Sequence, residues 1–133
     1  MSIRDMLEAH PQPISGDLAV RVRCIEQCSE CAVTCTSCAD ADLGEHDVQE
    51  LVRCIGLCLD CADVCDATRR IVTRVTSADA AAVRATVEAC VAACRASRAE
   101  CERHAAHHEH CRVCAEVCRS CEEACADFLA SIA

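Results

Sequence analysis

Residues 110–125 read HCRVCAEVCRSCEEAC and contain five cysteines separated by steps of three, four, three and four residues. At about 100° per residue, these steps place all five side chains within a wedge of about 80° on one face of an α-helix. The charged residues between the cysteines point to the other faces, as on a solvated surface. The stretch therefore predicts an amphipathic helix whose buried stripe consists of sulfur rather than of leucine.

The same spacing occurs in three further stretches of the chain. The four stripes comprise Cys24, Cys28, Cys31, Cys35 and Cys38; Cys54, Cys58, Cys61 and Cys65; Cys90, Cys94 and Cys101; and Cys111, Cys114, Cys118, Cys121 and Cys125. In the third stripe, Ser97 stands three residues after Cys94, where the spacing calls for a cysteine. The stripes account for all seventeen cysteines and predict four helices.

The composition provides few of the large apolar residues that fill a conventional hydrophobic core. The chain has 133 residues, which corresponds to one domain, but only one Phe and neither Tyr nor Trp. A free cysteine can serve as a small buried hydrophobic residue, yet this role accounts for one or two positions and not for seventeen in register. The net charge of -9 argues against a nucleic acid as partner.

The helix signals predict an all-α fold, an up-down-up-down antiparallel four-helix bundle with a cysteine-lined core. We expect residues 1–15 to form a short N-terminal segment, either a turn or two of helix at residues 3–9 or disordered chain, and residues 16–133 to form the bundle. The helices are expected to start near Asp17, at Asp47, near Ser77 and within residues 104–110. The short connections between them make neighbouring helices antiparallel.

Antiparallel order predicts which side chains lie at each end of the bundle. Cys38, Cys54, Cys101 and Cys111 share one end with His46, His104, His107, His108 and His110. Apolar residues, namely Val20, Val72, Val83, Val87, Phe128 and Ile132, are expected to close the opposite end. His104 and His108 continue the third stripe beyond Cys101, and His107 would continue the fourth stripe if its helix began early. We expect His104 and His108 to line an entrance and His46 and His110 to be solvated.

A column of thiols on four facing helices predicts a binding site for a soft metal. Soft thiolates select Cu(I), Zn(II) or iron–sulfur clusters. A structural zinc site needs four converging ligands and no more, and iron–sulfur ligands typically sit in tight loops rather than inside helices. Cu(I) accepts bridging thiolates, so the column favours Cu(I) at about 15–20 ions per chain. An iron–sulfur protein, a zinc-thiolate protein and a copper chaperone or sensor of low stoichiometry are the alternatives.

Neither a targeting segment nor a catalytic motif is evident. Residues 1–13 contain no basic stretch followed by an apolar run, and no apolar stretch approaches the roughly 18 residues of a membrane span, so we expect a cytoplasmic protein with reduced thiols and no membrane contact. The chain lacks a phosphate-binding loop, a nucleophile elbow and a Glu-x-x-His pair. Buried thiols are poor nucleophiles. We therefore expect that the protein is not an enzyme.

The cysteine register and the segment CERHAAHHEHC at residues 101–111 resemble the cytosolic copper storage proteins, which are cysteine-rich four-helix bundles. The resemblance covers roughly residues 16–130. It implies a homotetramer in which each bundle stores many Cu(I) ions along its axis, with entry at the histidine-bearing end. Carried over by position, all seventeen cysteines are metal ligands, and His104 and His108 lie at the entrance. A copper chaperone or a cuproenzyme that exchanges copper with the protein is a candidate partner.

Overall fold

Residues 2–132, which the computed structural model describes, consist of helices and short connections. The elements are helices α1 (Ile3–Glu8), α2 (Leu18–Leu43), α3 (Val52–Thr73), α4 (Ala80–His104) and α5 (Glu109–Ser131), with a 3₁₀ helix at Val48–Leu51 before α3. This range contains no β-strand, which confirms the all-α prediction. The N-terminal segment adds a fifth α-helix to the four expected. Met1 and Ala133, the outer limits of the two predicted regions, lie outside the described residues.

The four long helices enclose one core. α2 packs against α3 and α5, and α4 packs against the same two helices, so that each long helix contacts two others. The short helix α1 contacts α2 and buries Leu7 in the same core. None of the helices in residues 2–132 combines the length and the apolarity that a membrane crossing requires.

The helix starts follow the predicted capping residues in part. The carboxylate of Asp17 accepts a hydrogen bond from the Val20 amide and caps α2. α4 begins slightly later than the start predicted near Ser77, because Asp79 caps it in the same way. The predicted start at Asp47 is wrong, because the chain first forms the 3₁₀ helix and α3 begins only at Val52. The Asp47 side chain caps no helix and instead accepts a hydrogen bond from the ring of His108.

The end of the core remote from the helix α4–α5 connection is closed by apolar side chains. Val72, Val87 and Phe128 are buried there, whereas the other predicted plug residues, Val20, Val83 and Ile132, are half-buried. Arg21, which was not among the predicted plug residues, is buried among them. Its guanidinium carbon lies 5.0 Å from the centre of the Phe128 ring, and Nη1 donates to the Val72 carbonyl at 2.7 Å. We call this region the closed end.

Candidate metal centre

The seventeen cysteine side chains form a continuous buried column along the axis of the four long helices, here called the thiol column. None is more than 2% exposed, and all are free thiols. In the closest pairs the Sγ atoms are 3.6 to 4.0 Å apart, as for Cys28 with Cys125 and for Cys54 with Cys58. Because neighbouring sulfurs in the column come from different helices, a metal ion entering it meets thiols from several helices at once.

The thiols converge in groups of four that could each surround a metal ion. These groups are Cys28, Cys90, Cys121 and Cys125; Cys31, Cys65, Cys94 and Cys121; Cys31, Cys35, Cys61 and Cys118; and Cys38, Cys54, Cys58 and Cys101. Cys121 belongs to the first two groups and Cys31 to the second and third. Shared members prevent the first three groups from acting as independent tetrahedral sites, since each such site needs four ligands of its own. The arrangement instead suits an ion that accepts bridging thiolates.

Ser97 occupies the gap in the third stripe and takes the place of a thiol in the column. It is fully buried, and its Oγ lies 3.5 Å from the sulfur of Cys118, 3.7 Å from that of Cys58 and 3.9 Å from that of Cys35. The hydroxyl therefore preserves the packing and the hydrogen bonds at this level. A neutral hydroxyl is a harder and weaker ligand for a soft metal than a thiolate.

Burial opposes the loss of protons from the thiols, because desolvation acts to raise the pKa of a buried cysteine. Desolvation, reinforced by the charge of Asp42, raises the pKa of Cys111 to about 12. Inside the column the pKa of Cys35 is raised by its hydrogen bonds with neighbouring sulfurs, first among them Cys114, and by burial. Adjacent buried thiolates less than 4 Å apart repel each other strongly, so the column cannot ionise as a whole at neutral pH.

The end of the column opposite the closed end, which we call the histidine end, carries a buried carboxylate beside a histidine. Asp42 is fully buried, and its Oδ1 accepts a hydrogen bond from the Cys111 thiol at 3.7 Å. The Nδ1 atom of His110 lies 3.4 Å from the Cys38 sulfur and 3.7 Å from the Cys111 sulfur. Its Nε2 atom is 3.0 Å from Glu45. A neutral ring that donates from Nε2 to Glu45 presents an unprotonated Nδ1 to the thiols.

His108 lies against His110 and is held by two carboxylates. The two rings stack with their centres 5.5 Å apart. The Nδ1 atom of His108 is 2.6 Å from Glu45, and its Nε2 atom is 2.9 Å from Asp47. The hydrogen bond with Asp47, aided by the charge of Glu45, raises the pKa of His108 above its usual value. A ring with both nitrogens bound to carboxylates must release one of them before it can bind a metal.

His104 is anchored on its own helix. Its Nε2 atom lies 3.1 Å from the carboxylate of Glu100, one turn earlier in α4. Glu100 is itself buried and also accepts a hydrogen bond from Arg103 at 2.8 Å. Burial acts to raise the pKa of Glu100, but the hydrogen bonds with His104 and Arg103 outweigh it and hold the pKa below its usual range. The carboxylate fixes the orientation of the His104 ring.

The family-model comparison matches residues 19–130, which include all four cysteine stripes and the histidine end, to the copper storage proteins. The chain belongs to the copper storage protein family. No protein in a search of curated proteins matches the chain significantly.

Solved structures of copper storage proteins are similar over nearly the whole chain. The copper storage protein Ccsp from Streptomyces lividans, loaded with 10 copper equivalents, is 50% identical, with a TM-score of 0.96 over 98% of this chain and 99% of that one. A histidine-to-alanine variant of Ccsp is also 50% identical, with a TM-score of 0.88 over 90% and 100% of the two chains. A cytosolic copper storage protein from the same organism with five coppers is 54% identical, with a TM-score of 0.83 over 84% and 93%.

The structure brings together most, but not all, of the residues predicted as ligands in this copper storage protein. All seventeen cysteines lie in the column. Within residues 2–132, His104 and His108 make no hydrogen-bond contact with a thiol, so their predicted role as ligands stays a prediction. His110, which we expected to be solvated, is the histidine that contacts sulfur. Its position immediately before Cys111 is the feature of the sequence that could have indicated this contact.

Proposed function

We propose that the protein stores Cu(I) ions on the thiolates of the column and holds them away from solvent. The observation that supports this function is the continuity of the column: seventeen buried thiols that converge in groups whose ligand atoms lie within 4.8 Å of one another. Bridging thiolates let one cysteine serve two coppers, so the capacity approaches the number of cysteines. Copper is therefore the cargo of the fold rather than a cofactor for catalysis, and the protein works as a store and not as an enzyme.

We also infer that the four long helices run up-down-up-down as an antiparallel bundle, formed by residues 16–133, with residues 1–15 as an attached segment. Contacts at the two ends of α2 support this order. Cys24, near the start of α2, lies 3.8 Å from Cys125, near the end of α5. Cys38, near the end of α2, is grouped with Cys54, near the start of α3. The family match over residues 19–130 supports the same domain boundary.

The proposed compartment is the cytoplasm, because one of the similar solved proteins is described as cytosolic. Free thiols persist there, which the storage of Cu(I) requires. The partners that fit this role are donors and acceptors of copper, such as a chaperone or a cuproenzyme. A homotetramer, which the family resemblance implies, is part of the same proposal; the exposed side chains of Val33, Val52 and Leu43 are apolar surface that association would cover.

Counting the bound copper tests the storage function directly. We expect the reduced, metal-free protein, titrated with Cu(I) without oxygen, to bind on the order of 15–20 ions per chain, because each thiolate can bridge two coppers. Metal analysis after desalting gives the count. Saturation at about one to four ions, or iron with sulfide in the purified protein, would refute storage and favour the chaperone or the iron–sulfur alternative.

Two matched variants make this count specific to the column. Ser97→Cys adds a thiol at the gap, and Cys121→Ser removes one that belongs to two groups. If the thiols set the capacity, the first variant gains about one copper and the second loses about one or two. Equal capacities in all three proteins would mean that the copper is bound elsewhere.

We further propose that copper enters at the histidine end through His104 and His108. Replacing both with alanine should slow loading several-fold and leave the final capacity nearly unchanged, because the column keeps all of its thiols. Stopped-flow mixing with a coloured Cu(I) complex follows the rate. His10→Ala, which removes a histidine from the N-terminal segment, is the control. If the double variant loads at the normal rate but binds fewer coppers, these histidines are instead ligands of stored copper.

A further inference from the structure

We propose that Cys38, Asp42, Cys54 and Cys111 form a site for one divalent, zinc-type cation at the histidine end of the column. The site would have three sulfur ligands and one oxygen ligand. It deepens the proposed storage function, on which its physiological meaning rests, because three of its four ligands also belong to the thiol column. The proposal itself stands on the positions of these four side chains and on the carboxylate of Asp42.

The four ligand atoms lie close enough together to converge on one ion. They come from three helices, α2, α3 and α5, and all lie within 4.8 Å of one another. Bond lengths of about 2.3 Å for Zn–S and 2.0–2.2 Å for Zn–O require sulfurs about 3.8 Å apart and sulfur and oxygen about 3.6 Å apart. The observed distance from the Cys111 sulfur to Asp42 Oδ1 is 3.7 Å. A small inward movement of the side chains would complete the coordination shell.

The carboxylate of Asp42 has an unsatisfied oxygen. The side chain is fully buried, and its Oδ2 atom has no hydrogen-bond partner among the described residues. An unpaired buried carboxylate oxygen is costly, because it loses its hydration without compensation. Burial correspondingly raises the pKa of Asp42. A bound cation would supply the missing partner.

The donor set favours a divalent ion over Cu(I). Carboxylate oxygen is a hard ligand, which Zn(II) accepts readily together with thiolates, whereas Cu(I) prefers sulfur alone. The four all-thiol groups named above contain no oxygen, so none of them offers a hard ligand. The group of Cys38, Cys54, Cys58 and Cys101 shares two cysteines with the proposed site, so the two sites cannot be filled at the same time. His110 lies beside the site, with Nδ1 3.7 Å from Asp42 Oδ1.

Occupation of this site would place a metal ion directly on the path of copper into the column. Cys38 and Cys54 belong both to this site and to the adjacent all-thiol group that contains Cys58 and Cys101. Copper entering from the histidine end must therefore displace the divalent ion or pass around it. Zinc at this site would slow the loading of copper without reducing the final capacity, because Cu(I) binds thiolates more tightly.

Cobalt(II) is the probe for the site, because it occupies zinc sites and its absorption reports the number of thiolate ligands. We expect the reduced, metal-free protein to bind its first Co(II) equivalent with the spectrum of a tetrahedral ion carrying three thiolates. Asp42→Asn keeps the shape of the side chain and should weaken this first equivalent at least about tenfold, because it removes one of four ligands. Asp40→Asn, an exposed carboxylate on the same helix, is the matched control and should change nothing.

Two further variants fix the location of the bound ion. Asp42→Cys should restore tight binding and add a fourth thiolate to the spectrum, which a merely structural role of Asp42 would not do. Cys90→Ser, in the interior of the column, should leave the first equivalent intact. Loss of the first equivalent in Cys90→Ser but not in Asp42→Asn would overturn the proposal, and so would a protein that binds no Co(II).

The copper count of the same variants separates this proposal from the storage function. If the divalent site exists and storage is wrong, Co(II) binding depends on Asp42 while the Cu(I) capacity stays at a few ions. If storage is right and the divalent site is wrong, the capacity is high and the Co(II) spectrum ignores Asp42. Unchanged circular dichroism and Cu(I) capacity in Asp42→Asn show that the variant is folded.

Discussion

Copper binding is expected to weaken about 100-fold when the pH falls from about 7 to about 5. The reason is competition between protons and copper for the same sulfur atoms. The pKa of Cys111 is raised to about 12 by burial and by the charge of Asp42, and neighbouring sulfurs raise the pKa of Cys35. Such thiols carry protons throughout this pH range, so each must lose its proton to bind a metal as thiolate.

The sign of the effect follows from the proton balance. The metal-free column binds more protons than the copper-loaded column, so acid favours the metal-free state and a rise in pH favours loading. If each copper displaces about one proton, the apparent association constant changes about tenfold per pH unit. Two units then correspond to about 2.7 kcal/mol per copper, a loss large enough to release copper to a competing chelator.

Two measurements check the prediction independently. Competition with a Cu(I) chelator of known pH dependence gives the affinity at each pH, and titration in weak buffer gives the number of protons released per copper. Both numbers must agree if thiolate ligation is the cause. An affinity that stays constant between about pH 7 and about pH 5 would mean that the ligands are not thiols that were protonated before loading.

The column could be predicted from the sequence because helical spacing converts directly into a shared face. Steps of three and four residues keep each cysteine on the stripe whatever the neighbouring helix does. The same register also extends beyond the cysteines. Asp42 stands four residues after Cys38, Thr68 stands three after Cys65, and Arg21 stands three before Cys24. All three are buried, so they could have been found by continuing the stripe through polar residues.

The contacts at the histidine end could not be predicted in the same way, because they join residues on different segments. His108 binds Glu45 and Asp47, and His110 binds Glu45, across more than sixty positions of sequence. Asp47 satisfied the local rule for a helix cap, but a bond with the ring of His108 replaced that role. Local patterns describe one segment at a time, whereas these polar contacts depend on how the ends of different helices come together.

Replacing Phe128 with alanine is expected to destabilise the reduced, metal-free protein by about 3–5 kcal/mol. Phe128 is the single aromatic residue of the chain and is only 1% exposed at the closed end, beside Val72 and Val87. Removing its ring leaves a cavity, and it also takes away the surface on which the Arg21 guanidinium rests. A charge that was partly stabilised by the ring would then face an empty space.

Equilibrium unfolding of the metal-free protein in urea measures the loss, with Met6→Ala as the control. Met6 is 69% exposed on helix α1, so its replacement should change the free energy of unfolding by no more than about 0.5 kcal/mol. A loss below about 1 kcal/mol in Phe128→Ala would mean that thiol packing, rather than the apolar plug, holds the closed end together.

The copper-loaded form of the same variant should lose much less stability, because copper bound by the folded state adds its own binding energy and ties α2, α3, α4 and α5 together. The capacity should not change, since all seventeen cysteines are kept. The contrast distinguishes the two tasks of the core. The apolar side chains at the closed end keep the metal-free helices assembled. Protonated thiols bond only weakly to one another, but in the assembled bundle they already face each other, ready to bind copper when it arrives.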